Sequence, residues 1–229
     1  MKKAILSLAT VAAIGLTAQS SNAAVIISQY YEGTSNNKYI ELYNSGSTAV
    51  DLAAGVYKLS NFSNANREGW KTSAAPTNTL TLSGTIAAGE TYLIANNQAA
   101  APTYAVTGTD QIGTGGAGVN FNGDDSTVLW TGTTYAFSSV IDAMGVTTTS
   151  GFGDLSYVRN ASVTTGVNTD FNASDWTQYS LTAVADASST STEYLGFHVA
   201  ESEAAVPEPA SLGLIGAAGL LALRRRRAM

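Results

Sequence analysis

The 229-residue chain carries 17 acidic and 11 basic side chains and no cysteine. The missing thiols exclude disulfides, iron–sulfur clusters, zinc–cysteine sites and cysteine nucleophiles, so an exported form must rely on its core alone. Lys2, Lys3, Arg224, Arg225, Arg226 and Arg227 lie at the two ends, leaving five basic against 17 acidic residues between them, a net charge of −12. Such a surface repels phosphate backbones, and no nucleic-acid partner is expected.

In chain order, Met1-Lys2-Lys3 gives a positive start, Ala4 to Ala18 an apolar stretch, and Ser21-Asn22-Ala23 a small-x-small site. This pattern predicts a signal peptide over 1–23, read by the Sec translocon and cut after Ala23. A body over 24–199 follows. Val25 to Tyr31 is a β-branched and aromatic run, ended by turn residues from Glu32 to Asn37. Lys38 to Tyr43 alternates, with Tyr39, Glu41 and Tyr43 on one face and Ile40 and Leu42 on the other. Further strands are predicted at Val56 to Ser60, Thr79 to Leu82, Thr91 to Ala95, Val119 to Phe121 and Thr127 to Trp130. No window of the body sustains a helical period. Seven or eight short strands with glycine-rich turns predict an all-β fold, an antiparallel β-sandwich.

Each chemistry-bearing group has a structural reading beside the functional one. Glu32 and Glu41 flank the first hairpin and could serve as the acid and base of a glycosidase. Alternatively, Glu41 bonds neighbouring backbone or a lysine. Gly113 to Gly118 is glycine-rich, but it lacks the lysine and the following Ser/Thr of a phosphate loop. Asn120, Asn122, Asp124 and Asp125 form the densest set of oxygen ligands, either a calcium site without EF-hand spacing or a hairpin turn. His198 is the only histidine. A Ser-His-Asp triad would have to use it, and a histidine zinc site would need a second. Beside Phe197, a packing role suits it better. Trp70, Trp130 and Trp176, with eleven tyrosines, could stack on sugar rings or fill a core.

The end of the chain has another composition. After a linker over 200–206 come Pro207-Glu208-Pro209, an uncharged apolar run from Ala210 to Leu223, and Arg224, Arg225, Arg226 and Arg227. A helix over 210–223 would rise roughly 21 Å, short of the ~30 Å hydrocarbon core, although arginine stems can lengthen its reach. The arginines resist crossing a bilayer, which would hold them in the cytoplasm with the body outside.

Two resemblances follow from these residues. Val25 to Gly33, Asn37 to Asn44 and Val50-Asp51-Leu52 resemble the opening of bacterial lamin-tail domains. Leu82 to Ile94, Asn122 to Trp130 and Val140 to Gly145 resemble their later strands, giving a core over about 25–145. Leu155 to Arg159, Asp175-Trp176 and Tyr194 to His198 are similar to a C-terminal extension of such proteins. The resemblance implies an immunoglobulin-like sandwich and carries over no catalytic site. The Pro-Glu-Pro, apolar and arginine segments over 207–229 resemble the PEP-CTERM sorting tail. That implies transient anchoring in the inner membrane, recognition by an exosortase, cleavage near Pro207-Glu208-Pro209 and release to the cell surface or outside.

The expectation is therefore an exported, non-catalytic, immunoglobulin-like antiparallel β-sandwich of lamin-tail type with a C-terminal hydrophobic helix. No cofactor is expected beyond the calcium alternative. Its role would be structural, adhesive or binding, with extracellular polysaccharide as the partner. The competing readings are a calcium-dependent carbohydrate-binding module and a secreted nuclease or glycosidase.

Overall fold

The molecule is built on one hairpin, Val25–Glu32 (β1) and Lys38–Asn44 (β2). Its β-branched and aromatic residues suit a pleated surface packed on both sides, and every residue of both strands is buried. The computed structural model describes residues 25–147 and 151–200. The predicted signal peptide, the motif at Pro207-Glu208-Pro209, the helix over 210–223 and the arginine cluster lie outside the described residues.

Next come Val50–Asp51 (β3), Tyr57–Phe62 (β4), Asn78–Thr81 (β5), Thr85–Ile86 (β6) and Thr91–Asn96 (β7). They are followed by Thr103–Thr107 (α1), Gln111–Gly113 (β8), Ser126–Thr131 (β9) and Val140–Met144 (β10). Leu155–Arg159 (β11), Trp176–Ser180 (β12) and Leu181–Ala185 (α2) complete the described elements. One large sheet has the order β12-β11-β1-β2-β7-β8 and the other β10-β9-β4-β5, while β3 and β6 pair as a small third sheet. All pairings are antiparallel except β7 with β8.

The two sheets face each other across a core of Ile27, Tyr30, Ile40, Leu42 and Ile94 from one and Leu59, Leu129 and Met144 from the other. Burying each such side chain stabilises the fold by about 1.5–3 kcal/mol. The outer faces are covered too. Trp70, in a 3-10 turn over Gly69–Thr72, packs with Phe62, Val128 and Ala143 behind the four-stranded sheet. Ala105, Val184 and Leu195 pack on Tyr31, Tyr39, Leu93 and Ala95 behind the six-stranded one. The architecture is an all-β sandwich, as the turn and strand pattern predicts, and it is immunoglobulin-like, as the resemblance implies.

One reading of the sequence needs correction. Val119 to Phe121 is not a strand: Val119 and Phe121 are fully buried in a coil segment that plugs the sandwich. Asn96 Nδ2 holds it by donating to the Val119 carbonyl (3.1 Å). A β-branched and aromatic tripeptide satisfies the strand pattern, but Val119 and Phe121 both turn into the core, so the segment packs as a plug and pairs with no strand. Residues after 145 take part in the larger sheet. β11 pairs with β1 and carries β12, so they form one side of the larger sheet.

Candidate functional site

The strand registers decide the carboxylate pair. Gln29 sits opposite Glu41, and Glu32 opposite Lys38. Alternation along a strand therefore places Glu32 with Tyr30 on the inner face and Glu41 with Tyr39 on the outer face. On the inner face, Tyr30 Oη donates to Glu32 Oε2 (2.7 Å), and Lys38 Nζ donates to Oε1 (3.1 Å). Burial pushes the Glu32 carboxyl up, while Tyr30 and Lys38 pull it back. On the outer face, Glu41 accepts from Ser28 Oγ (2.6 Å) and the Gly196 N–H (2.6 Å). A sheet separates the two carboxylates, so they cannot flank one glycosidic bond.

The oxygen-rich segment forms a locked turn. Asp125, buried, accepts from the backbone N–H groups of Asn122 (2.7 Å) and Asn64 (2.8 Å). Burial raises its pKa, and those donors oppose the shift. Asp124 points to Arg67, with Nη2 donating to Oδ2 at 3.0 Å and Nε to the carbonyl at 2.8 Å. Asn120 and Asn122 are exposed. Gly123 belongs to the same turn because a Cβ there would come within 2.2 Å of the Gly153 nitrogen. The calcium reading needs these four side chains around one point, whereas both carboxylates already serve the fold. No group of three or more His, Asp or Glu able to hold a metal occurs among the described residues.

His198 packs its ring on Tyr43, with centroids 4.7 Å apart. Burial, helped by the charge of Arg159, lowers its pKa to about 4. Neither ring nitrogen has a hydrogen-bond partner. Trp70, Trp130 and Trp176 are all buried, and among the described residues no Trp, Tyr or Phe is exposed. Sugar stacking on a flat aromatic platform has no support in this geometry.

The residues that sequence reasoning missed are Asp142 and Arg159. Arg159 Nη2 donates to both carboxylate oxygens of Asp142 at 2.7 Å, and both side chains are fully buried. Asp142 also accepts from Ile27 N (2.7 Å), Val167 N (2.9 Å) and Ala143 N (3.0 Å). Arg159 donates to the Ile27 carbonyl (3.2 Å) and stacks on Trp176, 3.9 Å from its centroid. Burial pushes the Asp142 carboxyl up and Arg159 pulls it down. Strand irregularities between Ile27 and Gln29 and between Val140 and Asp142 meet at this pair. It joins β10 of one sheet to β1 and β11 of the other. The signal was legible: one acid in Val-Ile-Asp-Ala-Met and one base ending Leu-Ser-Tyr-Val-Arg, each in an apolar strand.

Asn44 has a similar internal role. Its Nδ2 donates to the carbonyls of Thr48, Ile86 and Ala87 (2.8–3.2 Å), and its Oδ1 accepts from Gly46 N (3.0 Å). It fastens the turn after β2 to β6. With this sandwich in place, residues 18–148, more than half of the chain, match the Lamin Tail Domain family. The chain belongs to the lamin tail domain family. This lamin-tail protein completes its larger sheet with β11 and β12, which lie beyond the matched residues.

Residues 205–227 match the PEP-CTERM protein-sorting motif, which takes in Pro207, Glu208, Pro209 and Arg224, Arg225, Arg226 and Arg227. The protein is thus an exported one, sorted by an exosortase toward the cell surface. No helix among the described residues is long and apolar enough to cross a membrane. No curated protein matches the chain.

Proposed function

We infer that the lamin-tail body is a non-catalytic module with a structural, adhesive or binding role in extracellular polysaccharide, freed by cleavage near Pro207-Glu208-Pro209. The observation that carries this reading is the internal use of its reactive side chains. Glu32, Glu41, Asp124, Asp125 and Asp142 are each spent on a fold contact. The placement of the motif supports release. His198 is the last buried residue described, and the eight residues from Val199 to Val206 can reach at most about 28 Å. A cut at Pro207 leaves every described residue in the body.

The test is co-sedimentation of the mature body with exopolysaccharide from the producing cells, with nuclease and glycosidase assays on the same preparation. Retention of the body in the polysaccharide pellet without hydrolysis is the expected result. Turnover that survives repurification and is lost when a single carboxylate is replaced would overturn the reading.

A further inference from the structure

The side chains that oxidants attack first are missing from this body or shielded within it. Thiols and thioethers head that order, and indoles follow. The chain has no cysteine, and among the described residues Met144, Trp70, Trp130 and Trp176 are all buried. Tyrosine is the one-electron donor that remains. Of the eleven tyrosines, Tyr57, Tyr104, Tyr135, Tyr179 and Tyr194 are half-buried and the others are buried. Tyrosine rings meet each other in two places. Tyr31 and Tyr39 meet edge-on, with centroids 5.7 Å apart and planes at 67°, and both are buried. Tyr104 and Tyr194 lie face to face, with centroids 4.1 Å apart and planes at 13°. This stack alone, among the described residues, joins two tyrosines that solvent reaches.

Each ring is fixed by its own segment. Tyr104 belongs to α1, and its Oη donates to the Val184 carbonyl of α2 (2.7 Å). Tyr194 lies in a turn, where its N–H donates to the Ser191 carbonyl (3.0 Å) and its carbonyl accepts from the Phe197 N–H (3.2 Å). The sheet below grips this turn on both sides. Gln29 Nε2 donates to the Glu193 carbonyl (3.0 Å), and the Gly196 N–H donates to Glu41 (2.6 Å). Leu195, between them, is buried in the outer apolar cluster. The stack is therefore a set distance between two anchored elements, which is the condition under which proximity speeds a bond-forming step.

We propose that Tyr104 and Tyr194 form a cross-linking site, at which a peroxide-fed one-electron oxidant couples the two rings into dityrosine. Each phenol gives up one electron and one proton and becomes a tyrosyl radical. An ortho carbon of one ring then bonds to an ortho carbon of the other, and the hydrogens displaced from those carbons return to the two phenolic oxygens. The peroxide takes up the two electrons and two protons, its O–O bond breaks, and it leaves as water. The protein loses two hydrogens and gains one carbon–carbon bond. Radicals held ring on ring meet far more often than radicals on separate molecules in dilute solution, so coupling within the chain outruns coupling between chains. The bond ties α1 to the turn that ends the body and closes a loop holding β8 to β12 and α2. Closing so long a loop restricts the unfolded chain, as a disulfide does. In a chain without cysteine it takes a disulfide's place, and thiols do not reduce it.

The test treats the full chain, dilute and in mild detergent, with a haem peroxidase and hydrogen peroxide, and reads dityrosine fluorescence, intact mass and a peptide map. The expected product is a monomer lighter by two hydrogens, fluorescent, with Tyr104 joined to Tyr194. Tyr194→Phe keeps a ring in the stack and removes its phenol, so the fluorescence and the mass change should both be lost. Tyr104→Phe, a second variant should the first not fold, should lose them equally. Tyr179→Phe removes a half-buried tyrosine of the same face that stacks on no other tyrosine, and the yield should stay at the native level. Covalent dimers as the main product, a native chain that gives no fluorescent monomer, or an undiminished yield in Tyr194→Phe would overturn the proposal.

Discussion

The two faces of the β1–β2 hairpin are buried by different means. The inner face, with Ile27, Tyr30, Ile40 and Leu42, meets the second sheet across apolar side chains. The outer face, with Gln29, Tyr39, Glu41 and Tyr43, meets two five-residue helices and the turn segment Glu193 to His198, across a carboxyl, an amide and an imidazole. Equal burial thus hides unequal chemistry. The inner face draws mainly on the hydrophobic effect and keeps one buried ion pair, Glu32 with Lys38, at its end. The outer face combines a smaller apolar cluster with hydrogen bonds to a buried carboxyl.

The largest effect should come from breaking the tie between the sheets. Asp142→Ala leaves Arg159 charged and buried, and urea unfolding should show a loss of about 3–5 kcal/mol. Leu195→Ala acts on the outer face alone. The turn segment around it can settle into the space, so the loss should be at the low end for a leucine, roughly 2 kcal/mol. Exchange should speed up in residues 193–198 while β2 stays protected, whereas equal loss in both would mean that the two faces unfold as one. Asp124→Asn removes a partly exposed ion pair with Arg67 and should change stability by no more than about 1 kcal/mol in the same titration. Calcium should have the smallest effect. With Asp124 and Asp125 already engaged, millimolar calcium should leave Tm unchanged, and a rise of several degrees would reinstate a metal at Asn120, Asn122, Asp124 and Asp125.

The inner face was legible in the sequence because a strand with one buried side repeats every two residues, as Ile40 and Leu42 do against Tyr39, Glu41 and Tyr43. The turn at Asn122 to Asp125 was legible for the same local reason. The cover of the outer face was not. Glu41 meets Gly196 across 155 positions, and no local pattern encodes a contact that distant. Val119 to Phe121 failed in the opposite way: its local pattern fits a strand, and tertiary packing makes it a plug. Asp142 and Arg159 fall between these cases. Each stands out in an apolar strand, and their meeting requires only that β10 and β11 lie at the same end of the sandwich.

The central claim is that a closed lamin-tail sandwich is carried to the surface by an address outside its fold. Mass spectrometry of the protein recovered outside the producing cells tests this most directly. An N-terminus at Ala24 and a C-terminus close to Pro207 are predicted, with Glu193 to His198 retained. A chain still ending at Met229 and confined to the membrane fraction would contradict it.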